Sequence, residues 1–423
     1  MRKIPLYLRI IIGMVAGVVF AVIMLQFESG VQFIRDWVKP FGTIFINLLK
    51  LIAVPLILAS LIKGVSDLKD MSKLSSMGWR TITFYLFTTV FAVSLGLLVS
   101  NVIKPGKSIS TETRTELLGT YGQDVESRQT EAKKNIPSGP LKFLEDIVPE
   151  NIFSAASKNT SMLQVIFFAL LLGIAMIMLP EATARPVKMF FDSFNDIILK
   201  VIDIIMLAAP FGVFALIASL VAESPDIDLF IALGWYALTV VLGIFVLLFV
   251  FYPGLVYLFT RRNPFRFMRQ ITPAQLLAFS TSSSAATLPV TMEVAEKNVG
   301  VDNEVTSFVL PIGATVNMDG TSLYQAVAAI FIAQAFGMDL SLSAQLGIIV
   351  TATLASIGSA AVPGAGMVML IIVLTQAGIP EAGLALIFAV DRPLDMLRTT
   401  ANVTSDVTVA TIIAKHLGKL EPR

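Results

Sequence analysis

The chain has 423 residues, 55% hydrophobic and 14% charged, with a formal net charge of +1 and a mean hydropathy of +0.80. Soluble domains carry about 25% charged residues, so a soluble globular protein is excluded, and the near-neutral balance points to no nucleic-acid partner. There is no cysteine, and the only histidine is His416, which removes disulfides, thiolate metal sites, Ser–His pairs and multi-histidine metal sites.

A basic start (Arg2, Lys3, Arg9) precedes the apolar stretch 10–27. That stretch is long for a signal peptide and no A-x-A-like site follows, so it reads as a first spanning helix. Further stretches of spanning length, free or nearly free of charge, cover 41–62, 81–103, 161–179, 204–222 and 229–260. Between the third and fourth lies a polar, mixed-charge connection, 104–158, read as a long external loop. Residues 271–292 are charge-free but interrupted by Ser280 to Pro289, and 340–380 are charge-free with ASIGSAAVPGAG at the centre. Ser284-Ala285-Ala286 precedes Pro289, as Ser359-Ala360-Ala361 precedes Pro363. Two small-residue tips between short apolar arms predict re-entrant helical hairpins, with first-hairpin arms of about 10 residues, or half a bilayer. The alternative is a helix hinged at each Pro. Paired interruptions are the sequence pointer to a transporter's binding site between inverted repeats. Basic residues between the second and third stretches, before the first hairpin and after the last helix put both termini in the cytoplasm.

The last membrane-length stretch, 383–416, carries Asp391, Asp395, Arg398, Thr399, Asn402 and Asp406. On a helix advancing about 100° per residue all six fall in a wedge of roughly 100°. Ionisable groups at such depth mark a substrate or ion path, unless they form an internal pair, such as Asp395 with Arg398, that locks two helices. Asp319 lies in NMDGT, where Gly320 is expected to let a helix unwind and expose carbonyls; alternatively Asp319 is a helix N-cap. Asp319, Asp406, Asn317 and Asn402 supply oxygens of the kind that build hard-cation sites, an alkali cation fitting better than a transition metal. Arg398 presents a planar fork suited to a carboxylate and Asp395 suits an ammonium. Thr321, Thr399, Asn402 and the hairpin serines Ser283 and Ser284 suit a second carboxylate. The sum describes an acidic amino acid, although a dicarboxylate without the amine uses most of the same groups.

SSSAATLP at 282–289, GATVNMDGTSLYQ at 313–325, ASIGSAAVPGAG at 355–366 and DRPLDMLRTTANVTSDVTVATIIAK at 391–415 resemble the glutamate/aspartate transporters of the dicarboxylate/amino acid:cation symporter family. The prokaryotic sodium-coupled members are the most similar, over nearly the whole chain apart from 104–158. The resemblance implies an all-α polytopic protein of the plasma (inner) membrane, with eight transmembrane helices plus two re-entrant hairpins in inverted repeats. It would work as a lipid-embedded homotrimer of independent elevators. Scaffold helices would lie in 1–80 and 161–222. The third helix, 81–103, would join a transport domain at 223–423, beyond the loop at 104–160. That domain would comprise the sixth helix, the first hairpin at 271–295, the seventh helix at 304–337, the second hairpin at 340–378 and the eighth helix at 383–416.

The resemblance further implies residue roles. Arg398 would hold the substrate's side-chain carboxylate and Asp395 its ammonium. Ser283, Ser284, Thr321, Thr399 and Asn402 would hold the rest, with Val362 and Gly366 of the second hairpin closing over it as the outer gate. The co-transported ion would be Na+. One site would use Asp406 with backbone oxygens of Gly313, Asn317 and Asn402, and a second would use those of Ser356 and Thr315. A third would use Asp319, Asn317, Tyr85, Thr88 and Thr89. Gln325 stands where animal members carry a protonatable Glu. Ser282 and Met396 stand where the family often has an additional Arg, and Thr89 replaces a Ser. Arg398 is present where neutral amino acid carriers have a small residue, which favours an acidic substrate. A proton-coupled glutamate carrier or a C4-dicarboxylate carrier remains the nearer alternative. An intramembrane aspartyl protease is the remote one, and its Gly-x-Gly-Asp motif is absent.

Overall fold

In a hydrocarbon environment every backbone N–H and C=O must be satisfied within its own segment, which leaves long apolar runs little choice but the helix. The computed structural model describes residues 6–67, 75–109, 148–157, 162–223, 227–357, 359, 361 and 364–421. Among them the regular structure is helical, and the only β pairing is an isolated bridge between Val301 and Leu420. The long helices in chain order are α1 (Leu6–Met24), α2 (Lys39–Leu56), α3 (Ser75–Ile103), α4 (Met162–Met178), α5 (Glu181–Leu207), α6 (Ala209–Glu223), α7 (Ile227–Val246) and α8 (Tyr252–Thr260). There follow α9 (Pro264–Thr281), α10 (Ser284–Val294), α11 (Asn303–Val316), α12 (Asp319–Ala335), α13 (Leu342–Ile357), α14 (Ala365–Gln376) and α15 (Leu384–His416).

Among the described residues three continuous helices are long and apolar enough to cross a membrane: Gly30–Ala59, Met77–Ser108 and Phe230–Thr260. A fourth candidate is bent by 50° between Glu181–Ile205 and Ala209–Ser219. This pair corrects the expectation that the fifth stretch begins at 204. Glu181, Arg185, Lys188, Asp192, Asp196, Lys200 and Asp203 recur every three or four residues along α5, so they form one polar side of a helix. A search for charge-free runs passes over such a helix. The bend falls at Ala208, two residues before Pro210, which has no N–H to continue the ladder.

Small residues let the helices approach closely, as membrane packing requires. A Cβ on Gly13 would lie 2.4 Å from the Pro210 carbonyl oxygen, and one on Gly17 would lie 2.7 Å from that of Phe214, so α1 runs tight against α6. Gly96 likewise seats α3 on the Leu323 carbonyl of α12, where a Cβ would approach to 2.7 Å. Every residue of α12 is buried, as is α14 from Ala365 to Thr375. By contrast, α2, α3 and α7 leave Phe41, Val102 and Phe245 exposed, as lipid-facing helices do.

Both interrupted stretches form helical pairs. The first arm of the first hairpin starts at Pro264, before the charge-free stretch begins, and its arms have 18 and 11 residues rather than about 10. The basic residues Arg266 and Arg269 thus belong to the arm. The break is a left-handed Ser282 (φ 51°) followed by an extended Ser283, whose side chain accepts from Ala286 N and caps α10. In the second hairpin α13, which ends at Ile357, and α14, which begins at Ala365, are packed on each other. Val362 lies outside the described residues, as do residues 110–147 of the long connection.

Candidate functional site

Six polar residues of α15 point inward because the helix period puts them on one face, and all six are buried. In the first half of the helix, Arg398 is fully buried and forks between two carboxylates. Its Nη1 donates to Asp391 Oδ1 at 2.9 Å and its Nη2 donates to Asp395 Oδ1 at 2.7 Å. All three belong to one helix, so this ion cluster does not lock two helices together, as the alternative reading required. The guanidinium carbon lies 3.8 Å from the centre of the Tyr324 ring of α12, within cation–π distance. Tyr324 in turn donates to Met367 Sδ of α14 at 2.7 Å. A Cβ on Gly366 would lie 3.1 Å from Thr321 Cγ2 and 3.7 Å from Arg398 Nη2, which puts the second hairpin directly over the arginine.

The rest of the expected substrate set surrounds this cluster. Asn402 accepts from Gly320 N at 2.8 Å and points its amide at Thr321 Oγ1, 3.3 Å away. Thr399 donates to the Asp395 carbonyl at 2.9 Å. Ser284 is buried at the start of α10. Ser283 donates to the Ala361 carbonyl at 2.6 Å, joining the tips of the two hairpins. Arg392 was not among the expected site residues, yet its Nη1 donates to Asp395 Oδ2 at 2.9 Å. Arg398 is therefore not the only guanidinium on this carboxylate cluster. The second guanidinium comes from neither Ser282 nor Met396, the positions where the resemblance would seek it.

A second cluster lies beside the α11–α12 break. Helix α11 ends at Val316 and α12 begins at Asp319, while Asn317 and Met318 are non-helical. The unwinding therefore precedes Asp319 and does not occur at Gly320, which is inside α12. A Cβ on Gly320 would lie 2.4 Å from the Arg398 carbonyl oxygen, so this glycine serves the close crossing of α12 and α15. Nor is Asp319 the N-cap: that position is Met318. The Asp319 carboxylate instead accepts four hydroxyl bonds: Thr89 at 2.8 Å and Thr88 at 3.3 Å on Oδ1, and Ser405 at 2.6 Å and Tyr252 at 3.1 Å on Oδ2. Asn317 Nδ2 donates to Ser405 Oγ and Asp406 Oδ1, each at 2.9 Å. Its Oδ1 lies 3.3 Å from the Thr88 hydroxyl and shares that single proton with Asp319.

Gly313 completes this cluster, since a Cβ there would lie 2.4 Å from Tyr85 Oη and 2.5 Å from Asp406 Oδ1. Tyr85 Oη itself donates to the Val309 carbonyl at 2.9 Å. Ser356 accepts from Met318 N at 2.9 Å and donates to the Val316 carbonyl at 3.3 Å, tying the second hairpin to the break. Thr315 is exposed, with its hydroxyl on the carbonyls of Pro311 and Ile312. Among the described residues no Lys, Arg or His pairs with Asp319 or Asp406. Two buried carboxylates, hydroxyls, an amide oxygen and loosened backbone make an oxygen-rich site of the kind hard monovalent or divalent cations occupy.

Sequence reasoning missed Tyr252, Ser405 and Arg392. Ser405 adjoins Asp406 on the wedge helix. Arg392 lies about 20° beyond the wedge edge on the same helical projection. Tyr252 gave no signal, being one of five hydroxyl side chains in the apolar stretch 229–260 with nothing local to single it out.

Compared with known proteins, the chain matches the Sodium:dicarboxylate symporter family over residues 6–416. It is 35% identical over 419 residues to the proton/sodium-glutamate symport protein of Geobacillus stearothermophilus, covering 99% of this chain and 96% of that protein. The protein of the same name in Bacillus subtilis (strain 168) is 34% identical over 420 residues, with 99% and 94% covered. Excitatory amino acid transporter 3 of Homo sapiens is 36% identical over 455 residues, with 97% and 86% covered.

Proposed function

Because the chain belongs to the sodium:dicarboxylate symporter family, whose members are transporters and not enzymes, we propose that it carries aspartate or glutamate across the plasma membrane together with Na+. The observation that carries this reading is the division of buried charge along α15. Arg398, held between Asp391 and Asp395, offers a carboxylate a guanidinium under the second hairpin. Asp406, further along, and Asp319 of α12, joined to the Asp406 region through Ser405 and Asn317, have neutral donors and, among the described residues, no cationic partner.

In this reading the substrate's side-chain carboxylate takes Arg398 and its ammonium takes Asp395. Its other carboxylate is held by Thr321, Thr399, Asn402 and the amide-rich tip at Ser283 and Ser284. Na+ is cargo rather than a resident cofactor. Its sites are Asp319 with Asn317, Thr88, Thr89 and Tyr85, and Asp406 with carbonyls of Gly313, Asn317 and Asn402. A further site uses carbonyls of Ser356 and Thr315. A substrate of net charge −1 entering a site that is electroneutral on its own needs at least one cation to cross with it. Gly366 and its hairpin close over the substrate from outside, with Val362. The helix pairs from α7 onward, with α3, move as one transport domain against α1, α2 and α4 to α6, in a trimer with both termini cytoplasmic.

A proton-driven cycle is the second reading, favoured by the names of the two bacterial relatives. Uptake of labelled aspartate, glutamate and succinate into liposomes, with sodium and proton gradients imposed separately, separates the two. Accumulation of acidic amino acids under a sodium gradient alone is expected. Accumulation only under a proton gradient would reassign the coupling ion, and no accumulation under either would end the proposal.

A further inference from the structure

Asp395 is the residue to which the proposed function gives the substrate's ammonium, and its carboxylate is already engaged. Oδ1 accepts from Arg398 Nη2 at 2.7 Å. Oδ2 accepts from Arg392 Nη1 at 2.9 Å and from the Gly364 amide at 3.3 Å. A carboxylate has about four acceptor sites, so three donors leave little room for an ammonium, which brings three more. Something must leave when an amine arrives.

The geometry identifies what leaves. Arg398 is locked, with one Nη on each of two carboxylates and its face on Tyr324. Arg392 is held to Asp395 through Nη1 alone; the buried Nε has no acceptor in either arginine, so the number of carboxylates gripped is what separates them. It is also 12% exposed where Arg398 is 0%, so it has a path outward that Arg398 lacks. A single charge-assisted bond is the weaker attachment compared with a fork.

We propose that Arg392 is a specificity-determining positioning residue that occupies the ammonium's place on Asp395 until a substrate amine displaces it. The inference rests on the proposed reading of Asp395 as the ammonium partner. Charge counting supports it. With Arg392 in place, Asp391, Arg392, Asp395 and Arg398 sum to zero, so the hairpin closes over the empty site without a buried unpaired carboxylate, which is costly. An amino acid replaces one cation by another at Asp395. A dicarboxylate without the amine leaves the Arg392–Asp395 pair standing and uses Arg398 alone.

The two ligand classes therefore respond in opposite directions to loss of Arg392. Removing the guanidinium spares an amino acid the displacement step, while a simple dianion then meets an Asp395 stripped of its second cation. A general weakening of anion binding raises both Kd values, the dianion's more, so displacement is read from a raised ratio together with an aspartate Kd that falls or holds. The test is equilibrium binding of aspartate and succinate to the purified full-length protein at saturating Na+, with succinate read by competition against labelled aspartate. For Arg392→Ala the ratio Kd(succinate)/Kd(aspartate) rises on the order of tenfold, the scale of one charge-assisted hydrogen bond. Arg392→Lys, which restores a cation, brings the ratio back toward the parent's. Should Arg392→Ala fail to elute as a folded protein, Arg392→Gln keeps the stem and carries the same expectation. A ratio within twofold of the parent's, or an aspartate Kd that rises along with succinate's, overturns the inference, because a merely structural arginine, or one that binds a substrate carboxylate, weakens both ligands. A raised ratio that persists in full in Arg392→Lys overturns it as well. If the parent protein binds neither ligand, the functional reading itself fails and this inference falls with it.

Discussion

The two halves of α15 solve the problem of buried charge in opposite ways. Around Arg398, cations and carboxylates alternate within eight residues and pair with one another. Around Asp406, about 12 Å further along the helix axis, carboxylates meet hydroxyls and an amide but, among the described residues, no cation. Neutral donors lower the cost of a buried carboxylate without cancelling its charge. The first region is suited to exchanging one charged partner for another, whereas the second gains only by taking in a positive ion. A symporter needs both kinds of site, and one continuous helix holds them at a fixed distance.

The sharpest way to break this comparison is to remove the cation of the first region. Arg398→Ala leaves Asp391 and Asp395 buried without their shared guanidinium, and it takes away the group proposed to receive the substrate's carboxylate. The expected loss of aspartate and glutamate affinity is about 3 kcal/mol or more, over a hundredfold. Binding isotherms and liposome uptake read it, with elution volume as the check on folding. Acidic amino acid binding that survives this change would remove Arg398 from the site.

Neutralising the second region tests the other half. Asp319→Asn replaces an acceptor of four hydroxyl bonds by a group with one oxygen and one donor NH2, and Asp406→Asn removes charge with less disturbance of its neighbours. Each is expected to raise the Na+ concentration for half-maximal substrate binding by at least on the order of tenfold, since ligand charge sets affinity at hard-cation sites. Unchanged sodium dependence in Asp406→Asn would take that carboxylate out of cation binding.

A change of space at constant charge is the next smaller probe. In Gly313→Ala the new methyl would lie 2.4 Å from Tyr85 Oη and 2.5 Å from Asp406 Oδ1, so it intrudes on the proposed cation region. In Gly366→Ala the nearest atom is Thr321 Cγ2 at 3.1 Å, on the substrate side. Overpacking costs about 1–3 kcal/mol. The first variant is expected to weaken sodium dependence and the second to weaken substrate affinity at fixed sodium. Titrating each ligand while holding the other saturating separates them, and the reverse pattern would mean the two regions are wrongly assigned.

What the sequence disclosed follows the same division. The wedge of polar residues on α15 was legible because a 3.6-residue period survives any tertiary context, and the hairpin tips were legible because Ser, Ala and Gly clusters interrupt otherwise apolar runs. Helix α5 was hidden by its own charges, which mimic a loop when only charge-free runs are counted. The unwound point was misplaced because Gly320 looked like a helix breaker, although its contact with the Arg398 carbonyl shows it to be a spacer between helices. Tyr252 and the pairing of Arg392 with Asp395 depend on which helices meet and which rotamers are taken, and no local pattern records either.

The smallest expected effect lies where the two hairpins touch. Ser283 caps α10 through Ala286 N at 3.2 Å and reaches across to the Ala361 carbonyl at 2.6 Å, so one hydroxyl serves both the local fold and the junction of the tips. Ser283→Ala removes both bonds at a cost of about 1 kcal/mol, and Ser283→Thr keeps the hydroxyl. If the second hairpin is the gate, loss of the junction favours its open position, and the substrate off-rate rises roughly fivefold while the on-rate changes little. A cap acting only on α10 instead lowers thermal stability and leaves the off-rate alone. Stopped-flow dissociation of substrate at saturating Na+, with the melting temperature measured alongside, decides between the two. An unchanged off-rate in a destabilised protein would confine Ser283 to capping and leave the second hairpin to be held shut by Gly364 on Asp395 and Tyr324 on Met367.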